Sequence, residues 1–261
     1  MMAATSHTPV APVTVARDLS FGDLGAALAA GWSDFARYPA YGLFFGAIYV
    51  AAGLFLSYAL VEWGEVAWVA PVAAGFPLLA PFCAVGLYEV SLRREAGLPL
   101  GWGAVLGALR GRGDEQIMSM GVIVFVAFGF WLMVAHGIFA IFLAGSGIGS
   151  ESLELFRTPA GLWMLVVGSA VGGLMALAFY AITVMSLPML VDREVDFLTA
   201  IIVSLATVRS NGLVMIGWAC VIAALLVAAM LPAFFGLLVA LPVLGHATWH
   251  LYRRAVCGPE R

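Results

Sequence analysis

Between Gly212 and Tyr252 the chain runs for about forty residues without one Asp, Glu, Lys or Arg. Crossing about 30 Å of hydrocarbon takes roughly 20 apolar residues in a helix, so this run holds two membrane-crossing lengths. Pro232 and Gly236 provide the natural break between them. Continuous apolar runs lack the period-two alternation of a lipid-facing barrel strand, and helix is therefore the expected form. Four more such runs precede this one. The expected spans cover residues 41–61, 66–90, 117–144, 161–191, 212–231 and 233–252. A composition of 63% hydrophobic and 10% charged residues agrees. Soluble chains are about 45–50% apolar and about 25% charged. The sequence predicts an all-α membrane protein with six transmembrane helices in one domain, residues 21–255. It places a disordered cytoplasmic tail at 1–20 and a cytoplasmic tail at 256–261.

Arginine carries every fixed positive charge, since the chain has no lysine. Eleven of the twelve arginines fall before the first span, between spans two and three, between four and five, or after the sixth. Only Arg157 lies on the other side, so the positive-inside rule puts both termini in the cytoplasm. Residues 1–16 (MMAATSHTPVAPVTVA) carry no early arginine and no apolar block long enough for a signal peptide. A net charge of −3 without a basic excess excludes a nucleic-acid partner. Cys83, Cys220 and Cys257 have no metal or redox spacing. Walker, GxSxG and HExxH motifs are absent, and no soluble stretch is long enough to host an enzyme.

Short amphipathic segments precede three of the spans: 24–36, 101–109 and 197–208. Segments carrying Trp and Arg beside a span suit the membrane interface. In the first, Leu24, Ala27, Leu28 and Phe35 share a face, with Trp32 near its edge. The returning helices share a proline, in LLAPFCAVGLYEVSLRR, MSLPMLVDREVDF and VALPVLGHATWHLYRR. Aligning Pro81, Pro188 and Pro242 predicts three repeats of interfacial helix plus hairpin, with a bend at each proline. Gly42 with Gly46 and Gly168 with Gly172 have the spacing that lets helices approach closely.

The same alignment puts Asp192 and His246 four residues past a proline, and Glu89, Asp196 and His250 eight past. One helical turn is 3.6 residues, so these side chains face one way. His246 and His250 form an HxxxH pair able to chelate a divalent metal, with Glu89 and Asp192 as the nearest oxygen donors. Asp196 is a further candidate. The alternative is an interfacial belt of His246, His250, Trp249 and Tyr252 capped by Arg253 and Arg254. Glu89 and Arg93 are spaced for an i, i+4 ion pair. His136 lies deep in the third apolar run, where an ionisable group is a functional candidate.

The segments GWSDFARYP, APFCAVGLYEVSLRREAG, LPMLVDREVD and LPVLGHATWHLYRR resemble domain of unknown function 2189, a family of bacterial integral membrane proteins. The resemblance runs from about Gly22 to Arg254 and implies an inner-membrane protein without an assigned activity. Some relatives are labelled cytochrome c oxidase subunits, which points to a respiratory complex as partner. A haem–copper subunit needs six histidine ligands in its membrane core, and only His136, His246 and His250 are near it. The reading the sequence favours is a non-enzymatic accessory, packing or lipid-interacting component. A small transporter or channel is the alternative, and a metal- or haem-binding redox component using His246 and His250 is the second.

Overall fold

The computed structural model describes residues 13–63, 72, 80–108, 114–143 and 157–257. The described residues are all-α apart from a two-residue strand pair. Helix α1 (Phe21–Arg37) leads into α2 (Pro39–Trp63), and α3 (Ala80–Glu95) follows. Then come α4 (Trp102–Gly107), α5 (Asp114–Leu143), α6 (Pro159–Thr183) and α7 (Ser186–Asp192). The series closes with α8 (Phe197–Ser210), α9 (Gly212–Met230) and α10 (Leu237–Ala255). Four stretches are long and apolar enough to cross a membrane: Pro39–Ala59, Glu115–Phe142, Pro159–Asp192 and Gly212–Met230. They match the first, third, fourth and fifth expected spans. Most of the second falls outside the described residues. The sixth is α10, which is too polar to qualify by composition.

Local chemistry explains the boundaries. Ser20 and Asp23 form a reciprocal capping box at the start of α1. Thr158 caps α6, whose first residue is Pro159, where a missing N–H costs nothing. The expected fourth span is interrupted at Val184–Met185. Pro188 has no N–H for the Val184 carbonyl and its ring crowds that turn, so α6 stops and α7 starts afresh. The freed Met185 amide donates to Ser204 Oγ at 3.1 Å, and that hydroxyl donates to the Ala181 carbonyl at 2.7 Å. Pro242 lies inside α10 without ending it. The break between α9 and α10 falls at the expected residues. Ala233 and Phe234 take left-handed φ values of 49° and 67° there, and a Cβ on Gly236 would lie 2.6 Å from the Ala229 backbone.

The expected interfacial segments are the helices α1, α4 and α8. Each packs on a returning helix: α1 on α10, α4 on α3, α8 on α7. Helices α3, α7 and α10 also pack on one another, and the main core lies among them. Val85, Met185, Leu187, Met189, Trp218, Leu251 and Tyr252 are fully buried there. The glycines of α1 and α2 set the approach to α10. A Cβ on Gly31 would meet Ala247 N and Val243 O at 2.6 Å, and one on Gly46 the Leu238 Cα at 2.8 Å. Gly42 has Pro242 Cβ at 2.7 Å, so the Gly42–Gly46 pair packs as its spacing predicts. The second pair behaves differently. Gly172 receives Trp131, whereas Gly168 faces open space.

The two ends of the described chain pair with each other. Thr14–Val15 pairs antiparallel with Val256–Cys257. Asn211 accepts from Leu19 N at 3.2 Å and donates to Ala16 O at 2.7 Å. Arg254 reaches Asp18 and Asp23, each at 3.1 Å. Residues 14–23 and 254–257 are thus fastened to each other, and 16–19 to the start of α9.

Candidate functional site

At the end of the bundle that carries both tails, polar side chains from α1, α3, α7 and α10 meet. Asp34 projects from the buried face of α1, one turn after Gly31, and is 0% exposed. Ser91 Oγ on α3 donates to Asp34 Oδ2 at 2.5 Å. With its one proton given to Asp34, Ser91 accepts from His246 Nδ1 at 2.7 Å, which fixes that ring's tautomer. His250 Nε2 lies 3.0 Å from Asp34 Oδ2, and Arg94 pairs with the other carboxylate oxygen. A carboxylate with no solvent contact costs several kcal/mol unless paired and hydrogen-bonded, and here three side chains share that task.

The network continues outward. His250 Nδ1 lies 3.3 Å from Glu95 Oε1, and Arg253 Nε is 3.2 Å from Glu95 Oε2. Arg253 Nη1 reaches Asp192 Oδ2 at 3.3 Å. Asp192 also accepts from Tyr252 OH at 2.8 Å and from Arg193 Nε at 3.2 Å. Burial pushes the Glu95 carboxyl up, but the His250 ring, the Trp249 indole and the Arg253 guanidinium outweigh it. They hold it below the usual carboxylate range.

Three of the expected site residues, His246, His250 and Asp192, belong to this network. Glu89 does not: it pairs with Arg93 Nε at 2.6 Å, as the i, i+4 spacing predicts, and lines a separate cavity of about 200 Å³ beside Ile117 and Leu190. Asp196 has a structural task, capping α8. The Thr199 hydroxyl and amide donate to it and hold its pKa below the usual carboxylate range. His136 lies half-buried in α5, a different helix from any of these. Among the described residues no three His, Cys, Asp or Glu side chains are grouped as a metal ion requires. The interfacial-belt reading is overturned for His246, Trp249 and Tyr252, which are 0–1% exposed because α10 is surrounded by α1, α2, α3, α7 and α9.

Sequence reasoning missed Asp34, Ser91, Arg94 and Glu95 as members of the site. Asp34 carried one legible signal. It follows Leu24, Ala27 and Gly31 at helical spacing, so it falls on the apolar face of α1. A charge on such a face needs a partner.

Residues 69–192 match the family described as "Predicted integral membrane protein (DUF2189)". The match takes in Ser91, Arg94, Glu95 and Asp192 and leaves out α1 and α10. It is thus narrower than the resemblance read from the sequence, whose LPVLGHATWHLYRR segment lies beyond it. No curated protein and no solved structure matches the chain. The chain is an integral membrane protein associated with the lipid bilayer, and its apolar helices agree with that family.

Proposed function

We propose that the chain is a six-span protein of the bacterial inner membrane, with both termini cytoplasmic, acting as a non-enzymatic packing or lipid-interacting component. In this reading α10 and the segment 66–90 join the four apolar stretches as spans, and α1, α4 and α8 lie at the cytoplasmic interface. The cyclic order of contacts, each short helix on the returning helix of the preceding hairpin, supports the three-repeat arrangement.

One observation carries the non-enzymatic reading. Asp34, Ser91 and His246, the groups a catalytic site would draw on, are 0% exposed and hydrogen-bonded in a row that joins α1, α3 and α10, with His246 Nε2 buried and making no hydrogen bond of good geometry among the described residues. A general base has to reach a proton on substrate, and these cannot. They act as a clamp that docks α1 and the N-terminal segment onto the bundle.

Two measurements test this. Reporter fusions after Glu62, Ser152 and Met230 should report the periplasm, and fusions after Arg112, Arg209 and Arg261 the cytoplasm; a cytoplasmic signal at Ser152 breaks the topology. Cysteine pairs joining α1 to α10 should cross-link without altering solute flux in proteoliposomes. Flux in the free protein that the cross-link abolishes would favour the transporter reading instead.

A further inference from the structure

A cleft of about 200 Å³ opens beside the clamp, between α3, α7 and α10. Glu95 and Asp192 supply a carboxylate from either side, and Arg253 spans the gap with contacts of 3.2 and 3.3 Å. Arg253 is 43% exposed on its side chain and Glu95 34%, so the cleft is reachable from outside the bundle. Leu92 and Ala96 give it an apolar wall. Trp249 also lines it. Although that residue is 1% exposed, its indole N–H, near enough to Glu95 to lower that carboxyl, makes no hydrogen bond of good geometry among the described residues. A buried donor left unmade costs about 1–3 kcal/mol, which marks a place where an acceptor belongs.

These groups select a class of ligand by sign. A bare anion would face two carboxylates, and a bare cation would face the guanidinium. A zwitterion whose two charges are joined by a short linker meets neither penalty. A primary ammonium can replace one of Arg253's contacts, donating to Glu95 and Asp192. The released edge of the guanidinium and the Trp249 N–H can then donate to an anionic oxygen, with the charge assistance that makes such bonds strong.

We propose that this cleft binds the phosphoethanolamine headgroup of a membrane lipid, its ammonium between Glu95 and Asp192 and its phosphate on Arg253 and Trp249. The lipid, rather than a free zwitterion, is the occupant because the cleft sits where the proposed topology puts the cytoplasmic headgroup layer. The inference rests on that reading, and the apolar wall of Leu92 and Ala96 is where the first methylenes would continue.

The test uses the full chain, purified in detergent and stripped of lipid, with short-chain lipids bearing phosphoethanolamine, phosphocholine or phosphoglycerol heads. Binding is followed by native mass spectrometry. The phosphoethanolamine lipid should bind at least about tenfold more tightly than phosphocholine, which offers the same phosphate without an N–H donor. Glu95→Gln should remove about tenfold of that preference. Ala96→Trp, which keeps every charge and fills the cleft, should weaken the same lipid by a similar factor with the helical circular dichroism unchanged. Equal affinity for the three heads, or full binding to Ala96→Trp, overturns the proposal. Free phosphoethanolamine binding as tightly as the lipid overturns the lipid assignment. The reporter fusions read the topology separately, so a wrong orientation and an absent headgroup preference are told apart.

Discussion

The tail-bearing end of the bundle and the pair α5–α6 are held together by different physics. In the first, α10 is enclosed by neighbours, glycines bring backbones into contact, and a buried carboxylate collects Ser91, His250 and Arg94. In the second, Phe125, Val126, Met133 and Ile141 on α5, with Trp163 and Leu174 on α6, stand open on the surface. Lipid tails are as apolar as those side chains, so burying them against each other gains little. Order in a membrane bundle therefore comes from close packing and polar bonds. Among the described residues the buried polar network gathers at the tail-bearing end, while close approaches run along α10 from Gly31 to Gly46.

The contrast can be broken by substitution, read as the stability of purified protein to a denaturing detergent. Asp34→Ala leaves Arg94 and His250 facing an emptied buried site, and should cost about 3–5 kcal/mol. A loss below about 1 kcal/mol would make the clamp peripheral. Gly31→Ala comes next. Its Cβ would press on the backbone of Val243 and Ala247, which cannot move aside as a side chain does, at a cost of about 1–3 kcal/mol. Ala233→Gly should act in the opposite sense, gaining up to about 1 kcal/mol by relieving the left-handed φ of an exposed residue.

A smaller effect should appear in the pH profile. The Glu95 pKa is depressed on folding, so its contribution is complete above the ordinary value of 4.5 and is lost as pH falls through the lower folded value. Asp18 and Asp23, held down by Arg254 and by Ser20 respectively, act with the same sign. Glu95→Gln should flatten this acid limb by lowering stability at neutral pH toward its acid value; an unaltered limb would assign it to the other acids. At the far end of the scale, Gly168→Ala meets nothing within 4 Å on α6 and should stay within about 0.5 kcal/mol. A large loss there would show that the outer pair is packed as tightly as the clamp.

Much of the fold was legible because its signals are local and periodic. The apolar lengths of α2, α5 and α9, the turn at Pro232 to Gly236, the three short amphipathic helices and the Glu89–Arg93 pair each depend on residues within a few turns of one another. The site was legible only in part. His246 and His250 stand out by their spacing, yet the acid they address is Asp34, more than two hundred residues away in the chain. The nearer acids mislead for the same reason. Glu89 is satisfied within its own helix, and Asp196 within the first turn of α8.

The sequence by itself determined that this chain must enter a membrane as helices, since long runs without charge can satisfy their backbones there in no other simple way. Only the tertiary structure decided that α10, which carries His250, Arg253 and Arg254 in its last two turns, is enclosed rather than placed at the rim. Hydropathy is a property of one segment. Whether His246 and Tyr252 meet water, lipid or protein depends on which helices surround them, and that is set by Gly31, Gly42 and Gly46 admitting α1 and α2, and by Asp34 arriving on α1 as the partner they lacked.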